Sequence, residues 1–274
     1  MRYLTTLTRF WSTALAAEME YRANFVLTAI HSTLALSGAL LVLWALFRTG
    51  YEPGGWSWPA AMLVVAAYTI LDGFQATFLT PNRQRVTEMV QDGSLDFVLL
   101  KPLDTQFWLS TRHLRIWGLP NLLLGIVLAV FAGSRIGPAA LGPEAGPTAY
   151  PLSPVLATLG FTLALLLGLT ILYALGFILS TLTIWFVKMH NITTAMQALL
   201  EAGRYPVAAY PPAYRAFFTF VLPVAFMTTT PATFVTGHAG PATLAAAALI
   251  ATALLLFSRW FWRFALRSYT SASS

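Results

Sequence analysis

Residues 83–102 read RQRVTEMVQDGSLDFVLLKP. This is the one long polar stretch set between strongly apolar ones, and the fold is read outward from it. It carries Glu88, Asp92 and Asp96 against Arg83, Arg85 and Lys101. The pattern predicts two short helices. Thr80 is positioned to cap the first, with Pro81 in its first turn, where a missing N–H costs nothing. Gly93 is placed to end it, because glycine takes the left-handed conformation needed there. Ser94 then caps a second helix, with Asp96 in a first turn that favours an acid, and Pro102 stops it. Leu95, Val98 and Leu99 give this second helix one apolar side.

The surroundings of the stretch are those of a membrane. Of 274 residues, 57% are hydrophobic and only 9% charged, with a mean hydropathy of +0.68. A soluble domain carries roughly a quarter charged residues. Apolar runs of about 20 residues cross a bilayer as helices. Six spans are expected, near 25–47, 58–80, 114–132, 155–187, 216–236 and 242–264, in a single domain over 1–274. Residues 1–22 are amphipathic, with Leu4, Leu7, Trp11 and Leu15 at helical spacing, which predicts a helix lying in the membrane interface. The fold class is thus an all-α integral membrane protein with six transmembrane helices, an N-terminal interfacial helix and a polar loop after the second span. Gly160, Gly168 and Gly176 in the fourth span allow close helix approach.

The net charge of +6 is not gathered in one nucleic-acid-binding patch. The cations sit at the ends of apolar runs, where they orient spans and meet anionic lipid. With both termini inside, fourteen Lys and Arg fall in inside segments and two, Arg48 and Arg135, in outside loops. This bias predicts cytoplasmic termini in a plasma (inner) membrane and a cytoplasmic loop at 81–106. It also makes 188–215 a cytoplasmic segment, with a helix over Asn191–Ala202 ended by Gly203. The outside loop 133–154 is rich in Gly and Pro and reads as a connector.

Few residues carry candidate chemistry. Asp72 is the one acid inside a span, and Gln75 shares its helix face. An ionisable group there is costly and marks either a pathway or a pairing with a neighbouring helix. Pro223 and Pro231 break the fifth span around Thr228, Thr229 and Thr230. The freed backbone groups require protein partners or a water-filled pathway, so this region is either re-entrant or kinked with threonines bonding their own backbone. No phosphate-binding G-x-x-x-x-G-K-[ST] loop is present, so ATP hydrolysis is not expected in this chain. With no cysteine and four scattered histidines (His31, His113, His190, His238), neither a disulfide, a metal site nor a catalytic site is expected.

Asp92–Leu103, DGSLDFVLLKPL, resembles the G-x-L-D-x-x-L-L-K-P-L signature of permeases of type-2 ABC exporters, in the viologen- or drug-exporter-like subgroup. GRYPVAAYP (203–211), LPVAFMTTTPA (222–232), the start EMEYRANFV (18–26) and the ending LRSYTSAS (266–273) are similar to that subgroup in the same order. The resemblance implies the type-2 exporter permease fold, with two permease chains, identical or paired with a sister, forming the pathway. It implies that a separate ATP-binding subunit, which would hold the ATP and Mg, docks on the loop after the second span. The residues expected to couple to that subunit are Glu88, Gly93, Leu95, Asp96, Leu99, Leu100, Lys101 and Pro102. Gly203, Arg204, Tyr205 and Pro206 form an expected cytoplasmic motif, and Asp72, Gln75, Thr228, Thr229 and Thr230 are candidate pathway residues. The resemblance also implies that the connection from fifth to sixth span dips back from the outer side. Two other classes compete with this reading: a proton-coupled secondary transporter using Asp72, and a non-transporting membrane scaffold.

Overall fold

A computed structural model describes residues 11–12, 22–136, 153–186 and 192–269, which are helical with no strand. The expected interfacial helix lies outside these residues except at Trp11 and Ser12, as do 137–152 of the outside loop. The helices are α1 (Arg22–Arg48), α2 (Trp58–Phe74), α3 (Thr80–Gln91), α4 (Asp96–Leu99), α5 (Thr105–Thr111), α6 (Leu119–Ser134), α7 (Pro154–Thr181), α8 (Ile192–Glu201), α9 (Pro212–Ala216), α10 (Val224–Val235) and α11 (Pro241–Leu266). Five rods among them are long and apolar enough to cross a bilayer: Ala23–Arg48, Trp58–Gln91, Ile116–Ser134, Pro154–Ile184 and Pro241–Leu266.

The centre is α2, whose residues 60–71 are all buried. A helix apolar on every side is stable only when surrounded, and α6, α10, α1 and α8 supply the surround. The other long rods bury one stripe and leave the rest apolar and exposed, as lipid-facing helices do. Small residues let the backbones approach. A Cβ at Gly125 would stand 2.7 Å from the Ile70 nitrogen. Three glycines of α7 allow close approach: a Cβ at Gly160 would stand 2.8 Å from Phe234, at Gly168 2.9 Å from the Met227 backbone, and at Gly176 2.9 Å from Arg83.

Three features differ from the expectations. First, Thr80 does not cap a separate helix: α3 continues directly from the helical Leu79 before it. The second span runs unbroken from Trp58 to Gln91, through a π-turn at Gln75–Leu79. Pro81 is tolerated because the carbonyl it leaves unmatched, that of Thr77, accepts from the Arg115 N–H at 3.0 Å. Second, Ser94 is not the cap of α4; its own N–H donates to Asp92 Oδ1 at 2.9 Å, and α4 is a single turn that ends at Leu99, before Pro102. Third, residues 216–236 are not one straight rod. Pro212–Val221 and Val224–Val235 meet at 97°, with the elbow at Leu222–Pro223. Only Pro223 makes a break; Pro231 sits inside a continuous α10, buried against its neighbours.

Within the expected 188–215 segment, residues 192–209 run antiparallel along α2. Gln197 lies opposite Asp72 and Gln75, Glu201 and Arg204 opposite Tyr68. Tyr205 then reaches the Ala39 carbonyl of α1, and Ala208 packs on Gly54, just before α2 begins. The reason is local. α8 has only ten helical residues and one polar face, so it carries no long apolar run, but the second rod offers its polar side chains partners. The bent pair that follows begins beside Ala208, where Arg215 donates to its carbonyl at 2.7 Å. It ends with Phe234 on Gly160, near the start of α7. Both its ends therefore lie at the Trp58 end of the bundle, while Val224 at the elbow packs on Gly203.

Candidate functional site

At the far end of the long rod the chain turns on Gly93, which has φ +73°, and the Leu95 N–H returns to the Met89 carbonyl at 3.2 Å. Val86, Met89, Val90, Leu95 and Val98 bury against Trp108, Leu109, Phe177 and Trp262. This small core fixes α4 to α3, α5, α7 and α11 at once. Asp104 caps α5 by accepting from the Phe107 N–H at 2.9 Å, and its other oxygen accepts from Arg259 of α11 at 2.8 Å. Lys101 and Arg112 each lie over the Trp108 ring, at 4.4 and 4.3 Å. Burial, then the neighbouring Arg112, holds the Lys101 amine below its ordinary range.

The expected coupling residues therefore divide. Leu95 is buried and Gly93 makes the turn; both hold the fold. Glu88 pairs with Arg85 at 2.7 Å on the surface. Asp96 is half-buried, near Tyr269, whose phenol is held above its ordinary range by burial first and then by that carboxylate. Leu99 does not join the buried side with Leu95 and Val98. It faces outward with Phe97 and Leu100, at 38, 71 and 82% exposure, beside exposed Lys101 and Pro102. Phe97 was not singled out from the sequence, though it stands inside the quoted motif.

A second set lies midway along the rods. Asp72 Oδ1 accepts from Gln197 at 2.9 Å and Oδ2 from Asn121 of α6 at 2.5 Å. Gln75 donates to Gln197 Oε1 at 3.0 Å. One turn away, Tyr68 donates to Glu201 at 2.6 Å, and Arg204 donates to the Tyr68 oxygen at 3.0 Å and to Glu201 at 2.7 Å. The Arg204 guanidinium lies 4.8 Å over the Tyr68 ring. Residues 68, 72 and 75 of α2 thus face 197, 201 and 204. The network brings Asp72 and Gln75 together with Arg204, and adds Tyr68, Asn121, Gln197 and Glu201. The i, i+4, i+7 spacing of Gln197, Glu201 and Arg204 is the signal that marks their shared face. Glu201 and Gln197 are exposed on the isolated chain.

Arg204 thus packs against α2 through Tyr68. Its neighbours pack: Gly203 against Val224 and Thr228, with Pro206 buried and Tyr205 against α1. The threonines bond nearby backbone. Thr228 donates to the Val224 carbonyl at 3.5 Å and Thr230 to that of Ala225 at 3.2 Å, while Thr229 accepts from the Val207 N–H at 3.3 Å. Thr228 and Thr230 are buried, so the carriers of a polar face are α2 and α8, not α10.

A family model described as "ABC-2 family transporter protein" matches residues 33–273. No curated protein and no solved structure matches the chain. The match takes in most of α1, all of α2–α11, the turn at Gly93 and every member of the polar network. This multi-pass helical chain belongs to the ABC-2 family of transporter proteins, as a membrane permease.

Proposed function

We propose that this chain is the permease subunit of an ATP-binding-cassette exporter, powered by a separate ATP-binding subunit that docks on residues 81–106. The observation that carries the reading is the tip formed by Phe97, Leu99 and Leu100, three outward apolar side chains on a turn anchored by a buried core. Apolar side chains held out together on a rigid base mark a docking surface. ATP and Mg belong to the partner subunit, and this chain supplies no catalytic group.

The docking end is cytoplasmic by charge. Once Arg204 lies within the bundle and Arg215 beside Ala208, the described residues put nine cations at the docking end and three, Arg48, Arg135 and Arg215, at the other. Both termini then face the cytoplasm, the fifth crossing runs through 192–209, and the bent pair dips in from the outer side. Tyr68 lies ten residues after Trp58, about 15 Å along the helix and near the middle of a roughly 30 Å hydrocarbon core. Carboxylates at that depth do not face lipid. The exposed side of Glu201 and Gln197 is therefore covered by a second permease chain and lines the pathway between the two.

The test is co-purification from the native membrane in mild detergent, followed by transport in vesicles. An associated ATP-binding subunit and ATP-dependent efflux, lost in Asp96→Lys and Leu99→Asp proteins that still insert, support the reading. Transport driven by a pH gradient without ATP and abolished by Asp72→Asn refutes it in favour of a secondary transporter.

A further inference from the structure

Arg83 lies on the face of α3 turned toward α7 and is 5% exposed. Its Nη2 donates to Thr80 Oγ1 at 3.1 Å. Nε and Nη1 are buried without an acceptor. None of the three ion pairs among the described residues includes it. A buried guanidinium without a counter-charge is costly, and proteins retain one where something neutralises it. The backbone of α7 makes room for this group: a Cβ at Gly176 would stand 2.9 Å from Nη1.

A small cavity opens at the same place. Arg83, Ser110 and Tyr173 form its polar side, and Leu79, Val86 and Phe177 its apolar side. It has room for roughly one water-sized body. Asn82 also borders it, but its amide is committed to the Phe78 and His113 backbone. The other polar atoms form a chain of donors. Gln106 donates to the Tyr173 oxygen at 3.1 Å, and Ser110 and Tyr173 are 2.9 Å apart. With Tyr173 donating to Ser110, the Ser110 hydroxyl hydrogen is left for the cavity.

We propose that this cavity is a site for one small monovalent anion, chloride in the cell, held by Arg83 Nε and Nη1 and by the Ser110 hydroxyl. No carboxylate lines it, so a cation is repelled. Size selects among anions. A lipid phosphodiester cannot reach a 5% exposed guanidinium without parting α3 from α7. A halide is little larger than a water, and unlike a water it cancels the charge. The ion would join α3 to α7 beside the core that carries α4, so the packing of the docking end would depend on halide.

The test uses the purified full-length permease in nanodiscs and needs no ATP-binding subunit, so its outcome is independent of the transport reading. Thermal unfolding is followed while sodium gluconate is replaced by sodium chloride or bromide at constant ionic strength. The expected result is a midpoint that rises with halide and saturates. Arg83→Gln should abolish this dependence. Ser110→Ala, which removes one hydrogen bond to the ion, should weaken the apparent halide affinity about tenfold and keeps the proposal testable if Arg83→Gln fails to fold. A wild-type midpoint equal in gluconate and chloride overturns the proposal. So does a halide dependence that persists unchanged in both variants.

Discussion

Replacing Phe97 and Leu100 by alanine removes most of the outward apolar surface of α4 and its following turn without touching the core beneath. Phe97 is 71% and Leu100 82% exposed, so little of either side chain supports the fold. Full burial of such a side chain is worth about 1.5–3 kcal/mol. Scaled by the exposed fraction, each contributes roughly 1–2.5 kcal/mol when an ATP-binding subunit covers it. The pair thus accounts for about 2–5 kcal/mol, a loss of roughly 30- to 4,000-fold in affinity. The assay is titration of the purified ATP-binding subunit onto nanodisc-held permease, with thermal unfolding of the permease alone as control. The expected outcome is weakened binding with an unchanged midpoint. Val98→Ala should do the reverse, lowering the midpoint, because Val98 is buried in the supporting core. Wild-type affinity in the Phe97→Ala, Leu100→Ala protein refutes the docking argument.

Gly168→Leu forces a side chain against the Met227 backbone and should lower the unfolding midpoint, at a cost of about 1–3 kcal/mol or more; Gly133→Ala, with open space around it, should not. Asp72→Ala leaves the Asn121 and Gln197 amides without their acceptor and should cost roughly 1–3 kcal/mol, with Asp72→Asn, which keeps one acceptor, falling between it and wild type in the same melt. His113 is held below the ordinary histidine range by burial first, then by Arg112, Arg85 and Arg115. The unfolded chain therefore binds its proton before the folded one does. Stability should fall as pH drops below about 6.5 and level off once the folded histidine is protonated too, and His113→Gln should flatten that part of a stability-versus-pH curve.

The long rods and the close-packing glycines of α7 were legible because lipid demands continuous apolar length and close packing demands small residues, both local in the chain. The quoted motif around Gly93 was legible for the same reason. The run of α2 through Pro81 was not. It depends on the Arg115 N–H, 38 positions after the Thr77 residue whose carbonyl it satisfies, and no local rule reports such a partner. The path of 192–209 was hidden in a similar way. Gln197 and Glu201 carry no signal of a partner in the sequence until Tyr68, Asp72 and Gln75 stand opposite them. Leu99 was assigned to the buried side because α4 was read as a longer helix, whereas a single turn leaves it outward.

The uninterrupted Trp58–Gln91 helix has a mechanical consequence. Its 34 residues make an arm about 50 Å long. With no hinge at Pro81, a tilt of about 5° at one end sweeps the other through roughly 4 Å. Tyr68, about 15 Å from the Trp58 end, moves by roughly 1.3 Å, which stretches its 2.6 Å bond to Glu201 beyond hydrogen-bonding distance, so a small stroke at the docking tip reaches the middle of the rod as a change of partners.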